Sequence, residues 1–484
     1  MSYIKDLNNY TTLTDFYELT MANGYFELGM KDTIVYFDMF YRTNPNNAGF
    51  AIFAGLEQVV EYIQNLKFSD EDIAYLKKLG TFSEGFLAYL KDFHFTGDIY
   101  SVTEGNFMFP NEPVITVKAP IIEAQILETF LLLTINHQSL IATKTERIVR
   151  SAEGRAVMEF GARRAQGPSA AILGPRAAYI AGAVGTSCVT CDEWFGVKAL
   201  GTMAHSWVQA FPSEYEAFKA YTKLYPDNVV LLVDTYNVLK SGVPNAIRVI
   251  KEFGLTKAAV RIDSGDIAYL SKKTRKMLDD AGLSFVGICA SNSLDEYLIA
   301  DLLKQGAKLD SFGVGERLIT SKSHPVFDGV YKLAAIEANG EIIPKMKISE
   351  NEAKITNPHF KQVYRFFSKE TNMALADVIT VYDEEIPADN YEIFDPQFTW
   401  KRKVLTNYYV EPLRAKIFEN GKLIYQLPKL EEIRKNCQYQ LSRLWEEVKR
   451  FDNPHNFYVD LSQKLWDIKQ QLLKENRHHI LDNK

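Results

Sequence analysis

Between residues 156 and 317, short apolar runs alternate with amphipathic stretches, and each run ends in glycine, polar or charged residues. The runs cover 156–160, 199–204, 229–233, 258–262, 284–288 and 309–312, with helix-like segments at 213–224, 243–253, 267–281 and 294–305 between them. Runs this short, separated by segments of helical period, imply βαβ units on a parallel sheet. Six or seven such strands predict a closed or nearly closed, irregular (β/α) barrel rather than a doubly wound sheet. No G-x-G-x-x-G opens any of the helices, which counts against a dinucleotide-binding fold.

The flanks follow other rhythms. Residues 33–40, 97–102 and 114–117 read as strands, and a helix is expected near Asp15, which with Glu18 has the spacing of a capping box. A long helical stretch follows from 120 to about 152. Its greasiest part, 121–135, is interrupted by Glu123, Gln125 and Glu128, so it reads as a core helix and not a membrane span. After 325 the β/α rhythm fades. Residues 330–336 and 342–348 predict a hairpin turning at Asn339-Gly340. Beyond 428, charged segments at 430–448 and 459–475 predict a surface helical subdomain. The expected organisation is an α/β barrel over 126–329 and an α+β sandwich-like domain over 1–125, completed by about 330–428. A C-terminal helical tail over 429–484 ends the chain.

With 484 residues, 46% of them hydrophobic, the chain can bury a sizeable core without disulfides or metals. A net charge of −6 gives no broad reason to expect nucleic acid or a membrane as partner. The first residues lack the basic and apolar regions of a secretory signal, so a cytoplasmic setting is expected. Four cysteines fit a reducing compartment. Cys188 and Cys191 form a C-x-x-C with no second pair at metal spacing, and read as two small, semi-buried thiols.

In parallel α/β barrels the site forms at the carboxyl ends of the strands. Here those ends carry Phe160 to Arg164, His205, Asp234, Asp263 to Asp266, Ser291-Asn292 and Gly313-Val314-Gly315. Arg163 and Arg164 can fork onto phosphate oxygens, and the 313–315 turn offers backbone amides to a phosphate. Asp234, Asp263 and Asp266 suit ribose hydroxyls or a Mg2+ ion, although Asp266 equally suits a plain helix cap. A lone histidine at a strand end is ordinarily structural. Asp234, closing the next strand, is placed to orient one ring nitrogen of His205 and leave the other as base or nucleophile. The inventory fits a phosphorylated sugar.

Thr14-Asp15-Phe16-Tyr17-Glu18-Leu19-Thr20-Met21, Glu159-Phe160-Gly161-Ala162-Arg163-Arg164, Gly201-Thr202-Met203-Ala204-His205 and Arg261-Ile262-Asp263-Ser264-Gly265-Asp266 resemble, in order, the signature blocks of nicotinate phosphoribosyltransferases. The resemblance implies a homodimer with shared active sites. Nicotinate would stack between Phe160 and the partner subunit's Tyr17, with its carboxylate on Arg261 beside Ser187. A nicotinamide-using relative carries an acid where Ser187 stands, so Ser187 favours nicotinate. The resemblance further implies that ATP phosphorylates His205, and that Asp234 and Asp263 steady the ribose and Mg2+. Arg163, Arg164, Ser264, Asp266, Ser291, Asn292, Gly313 and Gly315 would surround the sugar and its phosphates. The implied reaction takes nicotinate, phosphoribosyl pyrophosphate, ATP and water to nicotinate mononucleotide, pyrophosphate, ADP and phosphate, in NAD biosynthesis.

Three other readings stand beside it. A nicotinamide or quinolinate phosphoribosyltransferase would use the same barrel, though quinolinate needs more cationic side chains. A Schiff-base aldolase would need a strand-end lysine, and Lys198 and Lys257 fall at strand starts. A non-catalytic phosphate-binding barrel would have no need of His205 or Arg261.

Overall fold

The computed structural model describes residues 10–349, 351 and 354–481. It divides into two compact units, Leu140–Pro325 and the two ends of the chain together, Met1–Ser139 with Val326–Lys484. The molecule is mixed α/β, with helices and several sheets.

The central unit holds a five-stranded parallel sheet ordered Ala156–Glu159, Ser311–Val314, Gly287–Ser291, Ala259–Ile262, Val230–Leu232. Val157, Leu231, Val260, Ile288 and Phe312 are all buried to 1% exposure or less. Helices cover parallel sheets on their faces, so such strands read as apolar runs and not as alternating ones. Between the strands lie helices Glu214–Leu224, Val243–Glu252, Ile267–Asp280 and Glu296–Lys304. Val243–Glu252 shows why they dock: Val243, Ala246, Val249 and Ile250 fall on one helical face and are buried. Each such valine or isoleucine contributes roughly 1.5–3 kcal/mol. Ser213, Asp266 and Asp295 cap three of these helices, each accepting from the backbone N–H three residues on.

Two expected strands differ. The run at 199–204 forms no strand; only single bridges, Glu159 to Thr186 and Thr186 to Ala199, extend the row past Ala156–Glu159. The strand expected at 284–288 begins three residues later, at Gly287.

The other unit is built on antiparallel pairing. Its seven-stranded sheet joins Ile34–Tyr41, Asp98–Val102 and Ile115–Pro120 to Gly329–Ala338, Glu341–Pro344, Arg414–Glu419 and Lys422–Leu423. The hairpin turns at Asn339 and Gly340, whose φ values of 54° and 80° are the left-handed geometry a two-residue turn requires. A second sheet orders Tyr408–Pro412, Lys361–Ser368, Ala374–Val381 and Val459–Leu461. That last strand corrects the helical reading of 459–475. The helix runs from Gln463, because Ser462 caps it by accepting from the Leu465 N–H. The first tail helix likewise stops at Ser442, and Ile433, Cys437, Leu444 and Leu465 are buried, so the tail is woven into this unit.

Helix Phe16–Glu27 starts at Asp15 as expected, but the capping box does not form. The Glu18 carboxylate instead accepts from the N–H and hydroxyl of Thr129 at 3.1 and 2.5 Å, and from the Thr14 hydroxyl. Burial pushes Glu18 up to about 7, against the pull of these hydroxyl donors.

Candidate active site

Parallel pairing puts the carboxyl ends of the central strands on one edge of their sheet. Asp234 and Thr235 follow Val230–Leu232, Asp263 and Ser264 follow Ala259–Ile262, and Gly287–Ser291 closes on Ser291 itself. These side chains meet. Asp234 Oδ2 accepts from the Asp263 N–H at 3.2 Å and the Ser264 hydroxyl at 2.5 Å. The Ser291 hydroxyl donates to Asp263 Oδ1, and Asp263 Oδ2 lies 3.7 Å from His205 Nε2. His205 Nδ1 is 3.1 Å from the Thr235 hydroxyl.

The partner of Nδ1 is therefore Thr235 and not Asp234. Residues leaving an extended strand point alternately to opposite sides. Asp234 bends onto the 263–264 backbone while its neighbour reaches the imidazole. Asp234 Oδ1 is buried without a hydrogen bond among the described residues. Leaving such an oxygen undonated costs about 1–3 kcal/mol, which a ligand or cation would recover.

Arg261 sits within its strand. Its guanidinium donates to the Thr202 hydroxyl at 2.6 Å and the Met203 carbonyl at 3.1 Å. No carboxylate among the described residues neutralises it. The 199–204 segment is thus a loop that presents oxygens to a cation.

Phe160 follows Ala156–Glu159, and its N–H donates to the Val314 carbonyl at 2.8 Å. Gly313 makes room for it: a Cβ there would fall 2.7 Å from the ring. Beneath lies Glu159, fully buried, which accepts from the Gly161 N–H and, at 2.8 Å, from the Thr186 hydroxyl. The Ser187 N–H donates to the Glu159 carbonyl at 2.9 Å. One buried acid therefore holds the turns that carry Phe160 and Ser187. Burial pushes its carboxyl up to about 7, although its two donors pull the other way.

Arg163 and Arg164 stand exposed on the turn Ala162–Arg164 with no ion pair among the described residues. Exposed Asp266 caps Ile267–Asp280 by accepting from the Tyr269 N–H at 2.9 Å. Asn292 is exposed in the left-handed region, φ 88°, and accepts from the Ser293 hydroxyl. Gly315 precedes the short helix Glu316–Ile319. Tyr17 belongs to the other unit, on Phe16–Glu27.

Thr235, Thr202, Thr186 and Glu159 escaped the sequence reading as site-building residues. Only Glu159 left a signal, as an acid ending an otherwise apolar strand. Among the described residues no group of three or more His, Cys, Asp or Glu side chains could hold a metal by itself, and no helix is long and apolar enough to cross a membrane.

Known proteins share this chain's sequence and shape. The profile of the nicotinate phosphoribosyltransferase (NAPRTase) N-terminal domain matches residues 12–136, that of the NAPRTase family 155–383, and that of the C-terminal domain 360–469. The chain is 44% identical over 470 residues to a nicotinate phosphoribosyltransferase of Bacillus subtilis, covering 96% of each. The crystal structure of human nicotinic acid phosphoribosyltransferase superposes with a TM-score of 0.84 at 28% identity, covering 95% of this chain and all of the other. A nicotinate-nucleotide pyrophosphorylase from Pyrococcus furiosus gives 0.70 at 26% identity, covering 91% and 98%. The profiles, the near-complete overlap with the bacterial relative and the rim just described agree: the chain belongs to the nicotinate phosphoribosyltransferase family, enzymes that act on nicotinate and phosphoribosyl pyrophosphate in NAD biosynthesis.

Proposed function

We propose that the strand-end rim joins nicotinate to phosphoribosyl pyrophosphate with ATP coupling through a phosphorylated His205. The reading is carried by one observation, the meeting of His205, Thr235, Asp263, Ser291, Asp234 and Ser264 at a single sheet edge. The nicotinate carboxylate takes the uncompensated charge of Arg261, near Ser187, and the ring stacks on Phe160 and on the partner subunit's Tyr17. Arg163 and Arg164, free of ion pairs among the described residues, take phosphate oxygens with Gly313 and Gly315 close by. Ser264, Asp266, Ser291 and Asn292 face the ribose.

The pyridine nitrogen attacks the anomeric carbon, forming the C–N bond as the C–O bond to pyrophosphate breaks. Asp263 and Asp234 stabilise the positive charge that develops on the ribosyl carbon. In the coupling half, an imidazole nitrogen takes the terminal phosphoryl group of ATP, releasing ADP; water then removes it as inorganic phosphate. Hydrogen bonding to Thr235 fixes the ring, and its partial exposure supports access by ATP.

Mg2+ fits the carboxylates. Asp234 has an undonated buried oxygen and Asp263 stands beside it, and an ion held by one or two carboxylates completes its shell with substrate phosphates. Asp234 and Asp263 would hold it, and when bound it offsets charge on the departing pyrophosphate. The bridges that prolong the parallel row support an irregular barrel. Phe16, Tyr17 and Met21, exposed to 54%, 44% and 38% along one helix, support a homodimer that covers them. The free cysteines Cys188, Cys191 and Cys289 support a cytoplasmic setting.

The test is product formation from nicotinate and phosphoribosyl pyrophosphate with and without ATP, nicotinamide in parallel, and labelled ATP to trace phosphate onto His205. Nicotinate-only turnover, faster with ATP and with label lost in His205→Ala, is the expected result. Full ATP stimulation in His205→Ala would remove the phosphohistidine, and turnover of nicotinamide would overturn the roles of Arg261 and Ser187.

A further inference from the structure

The unit formed by the chain's two ends contains a cavity of about 730 Å3, within the size range of small-molecule sites. Its lining belongs entirely to that unit and includes none of the rim residues. Phe457, Tyr458 and Ile393 give it apolar and aromatic wall. Two features of its polar lining lack a charged or donating counterpart among the described residues.

The first is a carboxylate. Asp460, in the strand Val459–Leu461, is 4% exposed, lines the cavity, and receives no hydrogen bond among the described residues. Burial, reinforced by Asp395, pushes it up to about 7. The second is a pair of cations. Lys469 Nζ donates to Asn357 Oδ1 at 2.8 Å, and Lys403 Nζ lies 5.1 Å from the centre of the Tyr458 ring. Among the described residues neither forms an ion pair. Their neighbours are compensated: Arg402 pairs with Glu392 at 2.5 Å, Lys401 lies 3.7 Å from Asp395, and Lys361 pairs with Asp38 at 2.6 Å. Lys403 is exposed, whereas Lys469 is half-buried, and holding its cation there without a carboxylate is unfavourable unless an anion joins it.

We propose that this cavity is a second ligand site, taking an organic phosphate that also carries a hydrogen-bond donor and a flat or apolar body, the chemistry of a nucleoside monophosphate. The phosphate meets Lys469 and Lys403, the ring lies against Phe457 and Tyr458, and a hydroxyl or amino group donates to Asp460. The lysines act as point charges on phosphate, and the aromatic wall accepts a ring face.

The experiment is calorimetric titration with adenosine monophosphate, nicotinate mononucleotide and inorganic phosphate. The background is a full-length chain carrying Arg163→Ala and Arg164→Ala, which weakens phosphate capture at the rim. Saturable binding of one of the two nucleotides, weakened at least about tenfold by Lys469→Met, by Lys403→Gln and by Asp460→Asn, is expected. Lys403 lies at the surface end, so its variant folds even if the buried ones fail. Lys469→Met should leave nicotinate turnover without added nucleotide unchanged. Three results would overturn the site: no nucleotide binding in this background, binding indifferent to Lys469 and Lys403, or inorganic phosphate binding as tightly as the nucleotides and indifferent to Asp460.

Discussion

In the unit built from the chain's two ends, Arg365 and Asp377, both wholly buried, close on each other through hydrogen bonds of 2.8 and 2.6 Å, and Arg365 stacks 3.6 Å over Phe107. On the rim of the central unit, Asp234 keeps an oxygen and Arg261 its Nε without a hydrogen bond among the described residues, and Arg163 and Arg164 face water. The same residue types serve both regions. A charge consumed inside the fold is worth stability and nothing to a ligand; a charge left open is unfavourable until a ligand arrives. Pairing with an opposite charge, more than burial or residue type, sets Arg365 apart from Arg261: Arg365 Nη1 also lacks a hydrogen bond, but Asp377 neutralises the guanidinium. In the central unit, Lys144 and Arg147 likewise close on Glu296 at 2.6 and 2.9 Å.

Single substitutions can break this contrast. The largest effect is expected from Asp377→Asn, which breaks the buried pair with Arg365 and leaves Glu112 as the remaining acid beside it, and should cost about 3–5 kcal/mol in urea unfolding. Its kcat/KM per folded molecule should not change; a loss of activity at full stability would erase the distinction. Asp263→Asn should do the reverse, lowering kcat/KM by about 10²–10³-fold with the urea midpoint nearly unmoved.

Glu159 straddles the two classes, because it is buried yet positions the rim. Its folded pKa of about 7 lies above its ordinary 4.5, so the folded state holds the proton more tightly. The stability this gives is fully present below pH 4.5 and is lost as pH rises to 7. Glu159→Gln lacks that slope and should therefore gain on the natural chain by roughly 3 kcal/mol across the window. Parallel unfolding curves at every pH would show that the carboxyl titrates normally. The smallest effect is expected from Asp266→Ala: about 1 kcal/mol of stability from the lost cap. A collapse of activity there would promote Asp266 from cap to ligand contact.

The parts of the fold written in local chemistry were legible. Short apolar runs became the buried parallel strands, Asn339-Gly340 made its turn, and rim residues could be named because the strands ending at Glu159, Leu232 and Ile262 stop within one residue of their apolar runs. What was illegible depends on long-range pairing. Residues 199–204 look like a strand, yet their oxygens are taken by Arg261. Residues 459–461 look like a helix start, yet they pair in parallel with Asp377 to Ile379. Ser462 marked that boundary and was readable as a cap. The exchange of Thr235 for Asp234 at His205 turns on which way two consecutive side chains point, and spacing carries no information on that.

The strand Ile34–Tyr41 pairs on one side with Ile115–Pro120 and on the other with Gly329–Ala338, Val35 facing Ile336. During synthesis its first neighbour arrives early, but the second leaves the ribosome only after the whole central unit has been made. Until then the nascent chain displays an unpaired, apolar strand edge, the kind of surface that invites association with other chains. The central unit, contiguous in sequence, is free to fold in the meantime. Its insertion between the two halves of a sheet thus sets an order of assembly, and the interval in which this protein is most exposed to misfolding is the time taken to translate its own central unit.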